Sequence, residues 1–329
     1  MTGVRRAAAP VGIGGVAVAG ITALISGVSV FVNSYGVHAV PSPAVYTTAK
    51  NLVAFAVLGI GTAVAVSRRS SVAPSVESRW VDPPERSSWA LGTRGSGRPG
   101  MLHWLGLAYV GIVGGGIAFV LFFDGLARTT ATPAALDRDS LVIWVALLGI
   151  FFLHERLNGW NVGAIALLLA GEAVLSVKSG HLAWSSGDAL VMASTGLWAV
   201  EVVVARRLLA DVAPATISLV RMGVGGVTLV VYLAATGSLA GLTSLGAGAV
   251  GWVLLTGLLL AAYVATWMTA LARARAVDVT SMLVASVVVT AVLQALAGSA
   301  SLAPQLGGLV LVGAGTLVVA WRAPERVPA

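Results

Sequence analysis

The chain has 329 residues, of which 57% are hydrophobic and 10% are charged. Soluble domains carry about 25% charged residues, so this composition excludes an ordinary soluble protein and indicates a membrane protein. The absence of cysteine excludes disulfides, thiolate catalysis and Cys-ligated metal centres, and the net charge of +7 matters less here than the position of the positive residues.

Apolar segments of membrane-crossing length follow one another along the chain. A helix that crosses a bilayer needs about 20 mostly apolar residues. Ten segments satisfy this length, at residues 11–32, 45–66, 102–126, 133–153, 159–177, 185–205, 215–236, 247–270, 279–298 and 303–321. The first also resembles a signal peptide, but its apolar run is longer than a typical signal and similar segments follow it. The sequence therefore predicts an all-α integral membrane protein with ten transmembrane helices.

The positions of Lys and Arg predict the orientation in the membrane. With the N-terminus inside the cell, the inner segments carry most of the 20 Lys and Arg residues, whereas the outer loops carry only Arg128 and Lys178. We therefore expect a plasma or inner membrane protein with a cytoplasmic N-terminus (residues 1–10) and a cytoplasmic tail (residues 323–329). The polar residues 67–100 are expected to form a cytoplasmic linker, with a weak contact to anionic lipid headgroups as the alternative.

The two halves of the chain repeat one pattern. Pro43 stands seven residues before Lys50, and Pro214 stands seven residues before Arg221. Further on, FDGLARTTATPAALDRDSLV in the first half matches MTALARARAVDVTSMLVASV in the second half. This order of matching segments indicates an internal duplication.

Residues 11–180 and 181–322 are expected to be two repeats of five helices each. Because five is an odd number, the second repeat enters the membrane inverted relative to the first. Inverted repeats are typical of secondary transporters, which bind substrate between the repeats. We find no Walker A, GxSxG or HExxH motif, so we expect no catalytic residue, no cofactor and no bound metal. The His154-Glu155 pair is expected to cap a helix at the cytoplasmic face.

Several short motifs are similar to those of a known family. They are the two Pro-then-basic patterns, the run FFDGLARTTATPAAL from Phe122, the run FLHERL from Phe152, and Trp198 in the first helix of the second repeat. Together they resemble the EamA family of the drug/metabolite transporter superfamily, over nearly the whole chain outside residues 67–100. The resemblance implies ten helices in an inverted two-fold arrangement around a central cavity, and transport of small metabolites or drugs, often outward.

The chain also departs from the family pattern. The second half has SASL at residues 299–302 where the first half has HERL at residues 154–157. Gly27 occupies the position that matches Trp198, and the expected fourth helix carries more charge than is usual in the family. A generic family substrate is therefore not assumed.

Nine residues are candidates for a substrate or coupling site in the central cavity. They are Asp137, Arg138, Asp139, Lys50, Asp124, Glu172, Glu201, Arg221 and Trp198. Charges at membrane depth cost about 2.5–3.5 kcal/mol each even on a lenient scale, so they tend to face a cavity or a partner.

Two interpretations of the acidic residues remain open. In the first, Arg138 pairs with a nearby carboxylate in a structural network; the candidate partners are Asp137, Asp124 and Glu172. In the second, at least one carboxylate faces the cavity and binds a cationic or zwitterionic group or a proton.

The other candidates also have two interpretations each. Lys50 and Arg221 either extend toward the membrane interface or bind a substrate carboxylate and take part in gating. Glu201 either pairs with Arg206 or Arg221 or contacts substrate. Trp198 either packs against lipid and neighbouring helices or forms an aromatic cavity wall.

We therefore expect a secondary transporter without an ATP motor that exports small organic metabolites, amino-acid-like compounds or drugs by alternating access. Proton coupling stays open. The alternatives are an uncoupled facilitator or importer, and a membrane scaffold or lipid-handling protein. The expected partners are a small-molecule substrate, protons in the coupled case, and the lipid bilayer, with no nucleic acid; the sequence leaves monomer and homodimer open.

Overall fold

The computed structural model describes residues 14–40, 42–70, 100–129, 134, 137–178, 185–299 and 301–322. The expected cytoplasmic N-terminus (1–10), most of the expected linker (71–99) and the expected tail (323–329) lie outside these residues.

The described residues form an all-α protein. Its helices are α1 (Gly15–Gly36), α2 (Pro43–Ser70), α3 (Met101–Arg128), α4 (Leu141–Leu148, continued by the π-helical Gly149–Leu153), α5 (Gly159–Lys178), α6 (Ser186–Leu208), α7 (Pro214–Ala235), α8 (Ala247–Arg273), α9 (Ala276–Leu296) and α10 (Ala303–Arg322). Within the described ranges, eight helices are long and apolar enough to cross a membrane. The other two expected spans, 133–153 and 159–177, overlap α4 and α5, where the apolar helical segments are shorter.

The outward-facing side chains of the bundle are largely apolar. Leu24, Ile60, Val227, Leu258 and Val310 each expose more than half of their surface. Water would penalise apolar patches of this extent, whereas lipid chains accept them. Many polar and charged side chains are instead buried in the interior, so the distribution fits a bilayer as the surrounding solvent.

Two helices begin at a proline. Pro43 starts α2, and Pro214 occupies the first turn of α7 behind the extended Ala213. Proline suits this position because its fixed φ matches the helix and the first turn does not need its N–H. At 3.6 residues per turn, Lys50 and Arg221 therefore lie about two turns inside their helices, on the same face as the prolines.

The helices surround a common centre. α1 packs on α8 and α9, α6 packs on α3 and α4, and α2 and α7 pack on each other. α2 also packs on α8, and α7 packs on the π-helical part of α3. α5 and α10 pack mainly on each other, at the side of the bundle.

Glycines allow α5 and α10 to approach closely. A Cβ atom on Gly171 would lie 2.8 Å from the backbone oxygen of Gly308 and 2.9 Å from the backbone nitrogen of Val312. Small residues at helix interfaces of membrane proteins permit such backbone contact. The absence of a side chain at residue 171 therefore fixes the distance between these two helices.

We predict that Gly171→Ala lowers the free energy of unfolding by about 1–3 kcal/mol, the usual cost of overpacking. Gly163→Ala on the same helix is the matched control, because a Cβ atom there meets nothing within 4 Å. Thermal unfolding of both purified variants measures the difference. Equal midpoints for the two variants would contradict the described packing of α5 on α10.

Candidate functional site

A cavity lies in the middle of the bundle, between helices of the two halves. Its volume is about 80 Å³, counted as the space that the centre of a water-sized sphere can occupy. One water needs roughly 10–15 Å³ on this measure, so the cavity has room for several waters or a small organic molecule. Its charged lining residues are Lys50, Arg138, Glu201 and Arg221, and its aromatic lining residues are Phe119, Phe122, Phe123, Trp198, Tyr263 and Trp267.

Arg221 and Glu201 form an ion pair on the second-half side of the cavity. The guanidinium donates from Nε and Nη2 to the two carboxylate oxygens of Glu201, the latter at 3.0 Å. Both residues are buried, and the guanidinium lies 5.1 Å from the ring centre of Phe119. Bidentate pairing of this kind is the strongest arrangement for a buried arginine and carboxylate.

The π-helical segment of α3, Tyr109–Ile117, makes room for this pair. A Cβ atom on Gly114 would collide with the carboxylate of Glu201. The carbonyl oxygen of Gly114 accepts hydrogen bonds from Trp198 Nε1 at 3.0 Å and from Arg221 Nη2 at 3.4 Å. π-Helical turns are rare and often occur at functional sites.

Lys50 occupies the first-half side of the cavity. Its Nζ donates to Asn33 Oδ1 at 2.9 Å and lies 3.6 Å from the ring centre of Phe123. The Tyr46 hydroxyl donates to the same Asn33 oxygen at 2.7 Å. Lys50 is 2% exposed, so its side chain does not extend to the membrane interface.

Arg138 connects three helical segments. Its Nε and Nη2 donate to Asp139 Oδ1, at 3.2 and 2.7 Å. Its Nη1 donates to Ser26 Oγ on α1 at 2.7 Å, and its Nη2 donates to Ser286 Oγ on α9 at 2.6 Å. Asp139 does not line the cavity, so it neutralises the guanidinium of Arg138 from outside the cavity.

The remaining candidates lie away from the cavity lining. Asp124 forms an exposed ion pair with Arg128 one turn later on α3, at 2.7 Å, rather than a pair with Arg138. Asp137 and Glu172 each keep a buried carboxylate oxygen that has no hydrogen-bond partner among the described residues. The structure therefore differs from the expected network of Arg138 with Asp137, Asp124 or Glu172.

Five of the nine candidates line the cavity: Lys50, Arg138, Trp198, Glu201 and Arg221. Three further residues line the cavity from α1 and were not among the candidates: Ser26, Ser29 and Asn33. Their spacing of three and four residues places them on one face of a helix, and that polar stripe was a usable signal. Tyr46 could not be predicted as a neighbour of Lys50, because a single tyrosine in an apolar run forms no pattern that indicates a site.

One end of the bundle is held together by contacts between the two halves. At this end, called the arginine-rich end, residues 154–158, 209–213 and 274–275 connect consecutive helices. The Glu155 carboxylate accepts hydrogen bonds from the backbone N–H of Ala276 at 2.7 Å and of Val277 at 3.2 Å. It thereby caps the first turn of α9, and this contact is called the Glu155 cap.

Other contacts support the Glu155 cap. Arg275 Nη1 donates to the carbonyl oxygen of Arg156 at 3.1 Å. Asn161 Nδ2 donates to Asp278 Oδ1 at 3.2 Å. His154 lies in the left-handed region with φ 54° and ends the helix before Glu155. The His154-Glu155 pair thus serves as a helix end and a helix cap in the structure.

Comparison with known proteins assigns the chain to a family. The model of the EamA-like transporter family matches residues 13–177 and again residues 185–321. The chain belongs to this family. Together with the membrane-length apolar helices, the assignment identifies a multi-pass membrane protein of a family described as transporters.

Two curated relatives are both named uncharacterized transporter. The protein of Archaeoglobus fulgidus is 27% identical over 159 residues, which are 47% of this chain and 54% of the relative. The protein of Methanothermobacter thermautotrophicus is 31% identical over 123 residues, which are 36% of each chain. The matched part thus spans about half or less of these relatives.

A solved structure described as "Crystal structure of protein" superposes with a TM-score of 0.65. The match covers 93% of this chain and 96% of the other, at 19% sequence identity. At this level of identity the likeness shows a shared fold alone.

We predict that Glu201→Gln lowers the free energy of unfolding of this EamA protein by about 3–5 kcal/mol, because Arg221 would keep a buried charge without its counter-charge. Asp124→Asn is the control, since its exposed pair with Arg128 is worth at most about 1 kcal/mol. Denaturant unfolding of the purified variants measures both effects.

The double variant Glu201→Gln/Arg221→Gln removes both charges and should recover much of the lost stability. A double variant as unstable as the sum of its single variants would contradict a direct interaction between the two side chains.

Proposed function

We propose that this EamA-family protein is a secondary transporter that exports small organic metabolites through its central cavity. The observation that carries the proposal is a cavity lined by charged and aromatic side chains from both halves of a membrane-spanning bundle. Secondary transporters bind substrate at such an interface between repeats and expose it alternately to the two sides.

The helix contacts support an arrangement of ten transmembrane helices in two inverted repeats. In this arrangement α1 to α5 correspond to α6 to α10, in that order. The contact of α1 with α8 then corresponds to a contact of α6 with α3, and both contacts occur. In the same way, the contact of α2 with α8 corresponds to that of α7 with α3, and the contact of α1 with α9 corresponds to that of α6 with α4. All four contacts occur. A contact pattern that survives this exchange is expected of a two-fold internal symmetry.

From the positive-inside rule we expect the arginine-rich end and both chain termini to lie in the cytoplasm, as in a plasma or inner membrane protein. In that orientation, the Glu155 cap and its neighbouring contacts join the two halves at the cytoplasmic end, and we propose that they close this side of the cavity. Alternating access then requires these contacts to break when the transporter loads substrate from the cytoplasm. Proton coupling stays a prediction. Its candidate protonation sites are the carboxylate oxygens of Asp139 and Glu172 that have no hydrogen-bond partner among the described residues.

A second cavity offers a place to detect this opening. It lies between α2, α7 and α8, and Ser218 is one of its lining residues. Its volume, counted in the same way, is about 220 Å³. Ser218 is in the second turn of α7, close to the arginine-rich end. Because the chain has no cysteine, a single Ser218→Cys substitution provides a unique thiol.

We predict that Glu155→Gln increases the labelling rate of Cys at residue 218 by a membrane-impermeant maleimide about tenfold. The reason is that hydrogen bonds to a charged group contribute about 1.5–3 kcal/mol, and 1.4 kcal/mol shifts a two-state equilibrium tenfold. Inside-out vesicles present the cytoplasmic side to the reagent. Asp124→Asn in the same background is the control, and an unchanged rate with Glu155→Gln would contradict the closing role of the Glu155 cap.

Transport itself is tested in inside-out vesicles, where export appears as uptake. We predict that vesicles containing the protein take up at least one of 4-hydroxyphenylacetate, tyrosine and tyramine faster than vesicles without it. Uptake that rises with an imposed proton gradient indicates coupling, and gradient-independent uptake indicates a facilitator. If no probe enters and Glu155→Gln leaves the labelling unchanged, the scaffold or lipid-handling alternative replaces the transporter proposal.

A further inference from the structure

The charges around the central cavity do not balance. Of its charged lining residues among those that the structure describes, three are cations and one is a carboxylate. Both carboxylate oxygens of Glu201 accept hydrogen bonds from Arg221. Asp139 neutralises Arg138 from outside the lining. Lys50 is the remaining cation, and no described carboxylate forms an ion pair with it.

The hydrogen bonding of Lys50 is also incomplete. An ammonium group has three N–H donors, and the described residues provide one acceptor for them, Asn33 Oδ1. That oxygen already accepts a hydrogen bond from Tyr46, and the Asn33 amide nitrogen donates back to Ser29. The asparagine is therefore fixed in place and leaves two donors of Lys50 without an acceptor.

Aromatic rings supply the other neighbours of the ammonium group. Nζ lies 3.6 Å from the ring centre of Phe123, 5.5 Å from that of Tyr46 and 5.9 Å from that of Phe119. Ring faces attract a cation but accept no strong hydrogen bond. A buried charge retained in such surroundings needs an anionic partner, and the cavity is the open space beside it.

The shape of the cavity limits the rest of the ligand. Six aromatic side chains contribute to its wall, and Phe122 and Phe119 pack against Trp198 with ring centres 5.2 and 5.4 Å apart. Flat rings of this kind favour a flat apolar body in contact with them. A ligand ammonium, by contrast, would find the one lining carboxylate, Glu201, already bonded through both oxygens.

We infer that the cavity binds a small organic monoanion with a flat apolar body, whose carboxylate pairs with Lys50. This inference rests on the proposed function and narrows its substrate class. It excludes amines and places zwitterions below simple acids, because neither finds a free carboxylate for its ammonium group. One unpaired cation also favours a singly charged carboxylate over a doubly charged phosphate ester.

The test is isothermal titration of the purified full-length protein with ligands that share a phenyl-based body. The probes are 4-hydroxyphenylacetate, its neutral amide, tyrosine, tyramine and phenyl phosphate. We expect the acid to bind at least about tenfold more tightly than the amide or tyramine, the difference that a single charge-assisted contact supplies. Equal binding of acid and amide, or tighter binding of tyramine, overturns the inference, and tighter binding of phenyl phosphate overturns its choice of a carboxylate.

Lys50→Met removes the ammonium group and keeps the length of the side chain. We expect this variant to lose at least about tenfold in affinity for 4-hydroxyphenylacetate and none for the amide. Arg128→Met is the matched control, because Arg128 is exposed and does not line the cavity. If Lys50→Met does not fold, the comparison of acid with amide in the natural protein still decides.

The two proposals can fail separately. Uptake of tyramine or tyrosine but not of 4-hydroxyphenylacetate would overturn the anion inference and leave the transporter proposal intact. The absence of uptake for every probe, combined with unchanged labelling at residue 218, would instead remove the proposed function.

Discussion

An ionised side chain in the middle of a membrane-spanning bundle must obtain from the protein the partners that water would otherwise supply. The packing around the cavity follows from this constraint. Arg221 obtains both oxygens of Glu201, and the side-chain-free Gly114 on a π-helical turn gives that carboxylate its space. Arg138 obtains Asp139 and two hydroxyl groups from neighbouring helices. Among the described residues, the Lys50 ammonium group has one amide oxygen and aromatic rings as neighbours, and this difference is the reason for proposing that Lys50 is available to a ligand.

Local patterns in the sequence predicted much of this arrangement. The length of the apolar runs predicted where the helices lie, because a bilayer imposes a minimum length on a helix that crosses it. The seven residues from Pro43 to Lys50, and from Pro214 to Arg221, predicted repeat-related positions for the two cations, and both line the cavity. This agreement arises because a proline fixes where the helix begins, and helical geometry fixes the rest.

The choice of partners was much harder to predict. Asp124 and Arg128 are four residues apart and pair along one helix, which the i,i+4 rule would have identified. Arg138 and Asp139 are adjacent, so their Cβ atoms point in different directions, and only the length of the arginine side chain brings the groups together. The Glu155 cap joins the loop after α4 to the start of α9, 121 residues later in the sequence, and no local pattern contains such a contact.

The Glu155 cap has no chemical equivalent in the second repeat, where SASL replaces HERL. If the protein alternates between two states as proposed, states that are related by an internal two-fold axis would be equally populated only if both closures had the same free energy. A carboxylate that serves one closure alone removes this degeneracy, and a bias of 1.4 kcal/mol already corresponds to a ratio of about ten to one. The protein would therefore favour the state in which the arginine-rich end is closed. The amino acid at residue 155 would set the population of the state in which this end is open.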